Sequence, residues 1–175
     1  TIADIKAYRP QTNSISSGQV LQEPYDYEKT KLIVREMTDL LVLDLVDKRL
    51  VTDQIVLTIG YDIANLSNKA DRCFGNNYDH AVNNKGRDSI CGKKGTHRDY
   101  TGEITIDRYG RKVPKHAHGT ANLGRYTSST RIIMDAVMEL YDRIIDPSLL
   151  TRRITVVANR VCDESKVQES EQFEQ

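Results

Sequence analysis

No stretch of the 175 residues approaches the roughly 18 consecutive apolar residues of a membrane-spanning helix. The strongest apolar run, Leu40–Val46, is broken by Asp44. A signal peptide is missing, and the chain begins at Thr1 without a methionine, which reads as a segment of a longer protein. The Gly-rich phosphate loop, the dinucleotide fingerprint and any nucleophile–base motif are absent as well. Only three cysteines occur (Cys73, Cys91, Cys162), with no paired framework, so the expected compartment is a reducing cytoplasm. Most telling is a local absence: residues 108–131 contain no acid at all.

That acid-free segment carries six basic residues, Arg108, Arg111, Lys112, Lys115, Arg125 and Arg131. The net charge of zero therefore hides segregation: 69–131 holds 13 Lys and Arg against 6 Asp and Glu. The last fifteen residues hold five acids and one base. A one-signed stripe of this kind suits phosphates, although a solvated basic loop would look the same. Composition, 38% apolar and 29% charged, fits a soluble domain with one core.

Periodicity supplies the elements. Ser14–Leu21 reads as a short strand. Asp26 is a plausible N-cap for a helix of about 20 residues, with Ile33, Met37, Leu40, Leu41 and Leu45 on its apolar face. Gln54–Asp62 alternates, burying Ile55, Leu57, Ile59 and Tyr61. Residues 66–100 read as a polar insertion, followed by a ribbon over Glu103–Val113 that bends at Tyr109-Gly110. His116–Leu123 alternates again, with His116, His118, Thr120 and Asn122 on one face and Ala117, Gly119, Ala121 and Leu123 on the other. The run Thr127-Ser128-Ser129-Thr130 offers N-cap oxygens for a helix carrying Ile133, Val137, Leu140 and Ile144, which stops at Asp146-Pro147. Arg153–Asn159 is the last strand, and residues 163–175 form an acidic tail expected to be disordered. The order βαββαβ predicts an α+β split-βαβ domain: a four-stranded antiparallel sheet, both helices on one face, and a long insertion between strands 2 and 3. The uncovered face is left for water or a partner.

His116 and His118 share that face, but no carboxylate or cysteine follows within ten residues, and the neighbours are lysine and arginine. Neither a zinc site nor a catalytic pair is well served. Hydrogen-bond donors on a strand, with Lys115, Arg125, Arg108, Arg111 and Lys112 around them, suit phosphate oxygens better. Gly119 and Gly124 are expected to permit close backbone approach. Cys73, His80, Cys91 and His97 are metal-ligand types, but they lack the tight Cys-x2–4-Cys knuckle that would make a zinc motif specific.

Several stretches taken together resemble one family. SISSGQVL, EMTDLLVLDLVDKRLVTDQIVLTIGYD, TGEITIDRYGRKVPKHAHGTANLGRYTSST and LLTRRITVVANRV look like the C-terminal region of a bacterial Y-family translesion DNA polymerase, UmuC-like (impB/mucB/samB) branch. The resemblance covers roughly residues 1–162, apart from about 68–99. It implies that 1–12 is a linker from the thumb. Residues 13–162 would be the little finger domain, which grips the DNA backbone at the major groove during lesion bypass and so takes part in DNA repair and the SOS response. It points to Ser14, Ser16, Ser17, Gly18 and the strand from His116 to Arg125 as DNA contacts. The Mg²⁺-binding acids of such enzymes belong to the palm, which nothing here matches, so the chain alone is expected not to polymerise DNA. The sliding clamp is a possible partner of the parent, although the clamp-binding peptide is incomplete at Gln172-Phe173. The competing reading is a protein-interaction domain that docks an acidic partner or the clamp without binding DNA. RNA binding is disfavoured, because the strands lack base-stacking aromatics.

Overall fold

The computed structural model describes residues 13–66 and 100–167, together with Ile2. Residues 1–12 apart from Ile2, expected to be a linker, residues 67–99 of the expected insertion and the acidic end from 168 onward lie outside the described residues.

The first strand, β1 (Ile15–Tyr25), runs four residues beyond the expected end, through Pro24. Proline is tolerated there because β1 is an edge strand and its register breaks between Val20 and Tyr25. Asp26 then caps α1 (Tyr27–Asp47), its carboxylate accepting from the Lys29 N–H at 3.0 Å. The helix ends in a turn where Arg49 takes a positive φ of 54°, a conformation more often given to glycine. β2 (Leu50–Tyr61) starts four residues earlier than the alternation suggested and buries Ile55, Leu57, Ile59 and Tyr61 as expected. A 3-10 turn (Ile63–Asn65) and a hairpin of β3 (Ile104–Ile106) and β4 (Lys112–Pro114) follow. Next come β5 (Ala117–Thr127), α2 (Thr130–Ile144), β6 (Thr151–Asn159) and β7 (Cys162–Asp163).

The main sheet is ordered β1-β6-β2-β5, and every neighbouring pair is antiparallel. β6 thus separates the parallel strands β1 and β2, while β2 separates β5 from β6. Two split βαβ units interleave, and their helices share one face. The α+β class and the antiparallel sheet are as expected. The helices cover Leu57, Ile59, Ile154, Val156 and Ala158, all inaccessible to solvent, and meet each other through Tyr141, whose hydroxyl donates to the Tyr27 carbonyl at 2.8 Å. Lys31 and Tyr27 of α1 also bond Asp142 of α2, and this holds that carboxyl below the usual carboxylate range. No helix among the described residues is long and apolar enough to cross a membrane.

Four expectations are corrected. Leu40 is 64% exposed, whereas Leu41 is 3% exposed, so the inward stripe of α1 runs through Val34, Met37, Leu41, Val42 and Leu45. The tail is structured at its start: Cys162–Asp163 pair with Leu50–Val51, Asp163 accepts from both the N–H and the hydroxyl of Ser165, and 164–167 form a helical turn. Leu66 and Tyr100, the two ends of the expected insertion, belong to the folded part: the Leu66 N–H closes the 3-10 turn and Tyr100 packs against the core. Ser129 occupies the N-cap position of α2 without a side-chain bond; within the hydroxyl run, Thr127 Oγ1 instead accepts from the Ser129 N–H at 3.0 Å.

Candidate functional site

Period-two geometry sends alternate residues of each strand to opposite faces, and in β5 the two faces differ sharply. Ala117, Gly119, Ala121 and Leu123 turn toward the helices; His118, Thr120 and Asn122 are exposed. The expected division of faces is therefore present. Gly119 has a different role from the one expected. A Cβ at this position would stand 2.7 Å from Leu140 Cδ1 and 2.8 Å from Ile144 Cγ2, so the missing side chain admits α2 rather than a ligand. Gly124, with φ +74°, sits where β5 bulges: the partners of β2 jump from Asn122, opposite Gln54, to Thr127, opposite Thr52.

Register extends the open face across the sheet. Gly18, Thr155, Thr58 and His118 form one row over β1, β6, β2 and β5. Ser16, Val157, Val56 and Thr120 form the next. In the third row Asn159 donates to Gln54 at 3.3 Å and Gln54 donates to Asn122 at 2.9 Å, an amide ladder crossing three strands. Thr58 Oγ1 lies 2.9 Å from His118 Nδ1, and the His116 and His118 rings meet edge-on at 6.4 Å. These three rows form a neutral hydrogen-bonding surface with one apolar pair, Val56 and Val157, at its centre.

The first-strand candidates divide between the two sides. Ser16 and Gly18 share the open face, and Ser14 is exposed just before the strand. Ser17 opposes buried Val156 and so lies on the helix side, because a strand cannot present consecutive residues to one face.

The basic stripe is less uniform than an acid-free segment suggested, since acids just upstream fold back onto it. Arg111 bonds Asp107, and Lys115 bonds Glu103 at 2.7 Å. Asp107 also accepts from the Arg111 and Tyr109 N–H groups; these bonds hold its carboxyl below the usual range. Arg108 at the hairpin tip, Lys112 in β4 and Arg125 in the bulge make no ion pair among the described residues. His116 is exposed just ahead of β5.

Reading one strand at a time missed the partners contributed by β2 and β6: Gln54, Thr58, Arg153, Thr155 and Asn159. Their signal was the same alternation that fixed the buried residues of those strands. Cys73, His80, Cys91 and His97 lie outside the described residues. Among the described residues, no group of three or more His, Cys, Asp or Glu is placed to hold a metal ion. The chain matches no protein-family model and no curated protein.

Proposed function

We propose that the chain is a DNA-binding module that grips the duplex backbone without reading its sequence, and that it is the little finger domain of a UmuC-like Y-family translesion polymerase acting in the cytoplasm. The single observation that carries this reading is the sheet face that no helix covers among the described residues. It presents Ser16, Thr58, His118, Thr120, Asn122 and Thr155 as hydrogen-bonding groups, flanked by Arg108, Lys112, Arg125 and Arg153, cations with no ion pair among the described residues. Neutral donors can meet phosphate oxygens while the flanking cations supply the field. The strand order, with two interleaved split units, is compatible with the little finger architecture. In such a parent, Mg²⁺ and the nucleotidyl-transfer step would reside in the palm, and this domain would only hold and align the DNA.

Fluorescence anisotropy with two duplexes of unrelated sequence tests the reading. Lys112→Glu with Arg125→Glu should weaken both about equally; loss on one duplex alone would contradict backbone recognition. The second reading is a protein-interaction domain that docks an acidic partner or the sliding clamp. It draws on Leu32, Leu40, Leu43 and Val46, which expose more than half their surface on the outer side of α1. Capture of a protein partner without any duplex affinity would favour it.

A further inference from the structure

The β3–β4 hairpin roofs one end of the open sheet face and encloses a cleft of 850 Å³. That volume is within the range of small-molecule sites, roughly 300–1,000 Å³. Four arginines line it: Arg108, Arg111, Arg152 and Arg153. The two acids on its walls are already engaged. Asp107 is bonded by Arg111, and buried Asp62 caps the 3-10 turn through the Ala64 N–H and has Arg152 Nε at 3.7 Å. Arg108 on the roof and Arg153 on the floor make no ion pair among the described residues, so the cleft carries an uncompensated positive charge. Gly60 keeps the floor flat beside Arg153, since a Cβ there would stand 3.2 Å from the Arg153 Cβ. Tyr109 at the hairpin tip is 78% exposed, with the Arg111 guanidinium 5.2 Å from its ring centroid.

We propose that this cleft binds a single nucleotide, with Arg108 and Arg153 holding the phosphate and Tyr109 offering the stacking surface for the base. Guanidinium groups match phosphate oxygens in a bidentate fashion, and an aromatic ring accepts any base. An acidic peptide would satisfy the arginines but leave the flat floor and the tyrosine unused. The nucleotide is either free or an unpaired unit of a strand. The second source rests on the nucleic-acid reading above; the first does not.

The test is an amide NMR titration of the whole chain with deoxyadenosine monophosphate, inorganic phosphate, a six-nucleotide single strand and a hexaglutamate peptide. Saturable shifts at Gly60, Tyr109, Gly110 and Arg153 are expected with the mononucleotide, and a midpoint about tenfold higher with phosphate alone. Arg108→Ala with Arg153→Ala should raise the mononucleotide midpoint about tenfold or more, and Tyr109→Ala should raise it without changing that for phosphate. Tighter binding of the single strand assigns the nucleotide to a nucleic acid; binding of the mononucleotide alone assigns it to a free nucleotide. Absence of saturable shifts at those amides overturns the proposal, as does tighter binding by hexaglutamate. Failure here is distinguishable from failure of the duplex reading, which is measured at Lys112 and Arg125, outside the cleft lining.

Discussion

Thr58 Oγ1 and His118 Nδ1 stand 2.9 Å apart at directly opposed positions of β2 and β5. The bond fixes the imidazole on the open face; with Thr58 donating to Nδ1, Nε2 carries the proton and can donate to an acceptor. Exposure of His118 means that little packing is lost on truncation. His118→Ala should leave stability within about 0.5 kcal/mol of the wild type. Its duplex affinity should fall roughly two- to tenfold, the range of one hydrogen bond. Anisotropy and urea denaturation on the same preparations check both halves.

Gly119 is a point of close approach between α2 and the sheet. A Cβ would intrude on the side chains of Leu140 and Ile144, and Leu140 is buried in the core at 1% exposure. Gly119→Val should cost about 1–3 kcal/mol through overpacking, read as a lower urea midpoint. An unchanged midpoint would mean that α2 sits farther from β5 than described.

Two adjacent leucines of α1 should behave oppositely. Leu41 is in the core and Leu40 faces outward. Leu41→Ala should cost about 2–5 kcal/mol and Leu40→Ala less than about 1 kcal/mol. Comparable losses at both positions would place a packing surface on the outer side of α1.

Asp107 ties the hairpin tip together through three donors, and its carboxyl is held below its ordinary value of 3.8, first by the Arg111 N–H and then by the guanidinium and the Tyr109 N–H. A depressed carboxylate contributes stability that is present above the unfolded-state value and is lost as pH falls through the folded one. The hairpin amides of Tyr109 and Arg111 should therefore keep their shifts down to about pH 4 and change below it. Asp107→Asn should remove that transition. A midpoint above the ordinary carboxylate value would contradict the described geometry.

The α+β class was legible because the two central strands alternate cleanly: Ile55, Leu57 and Ile59, and Ile154, Val156 and Ala158, announced their buried sides. Leu40 was misread because α1 carries aliphatic residues on two sides, and periodicity alone cannot tell which stripe meets the sheet. Contacts joining distant residues were illegible for a different reason. Asn65 donates to the Asp62 and Leu150 carbonyls and accepts from the Leu150 N–H, clasping the end of β2 to the start of β6 from inside a stretch that reads as the edge of a polar insertion. In the candidate site, the face of β5 was legible, while its electrostatics were not. Glu103 and Asp107 lie outside the acid-free run, and only the hairpin brings them onto Lys115 and Arg111.

The central claim is that the open face holds DNA by its backbone, and the most direct measurement is duplex affinity as a function of salt. Contact with about four phosphates predicts a roughly hundredfold loss between 50 and 200 mM monovalent salt, linear on a double-logarithmic plot. Lys112→Glu with Arg125→Glu should flatten that slope. Affinity that does not change with salt, or no duplex binding even at 50 mM, would contradict the account.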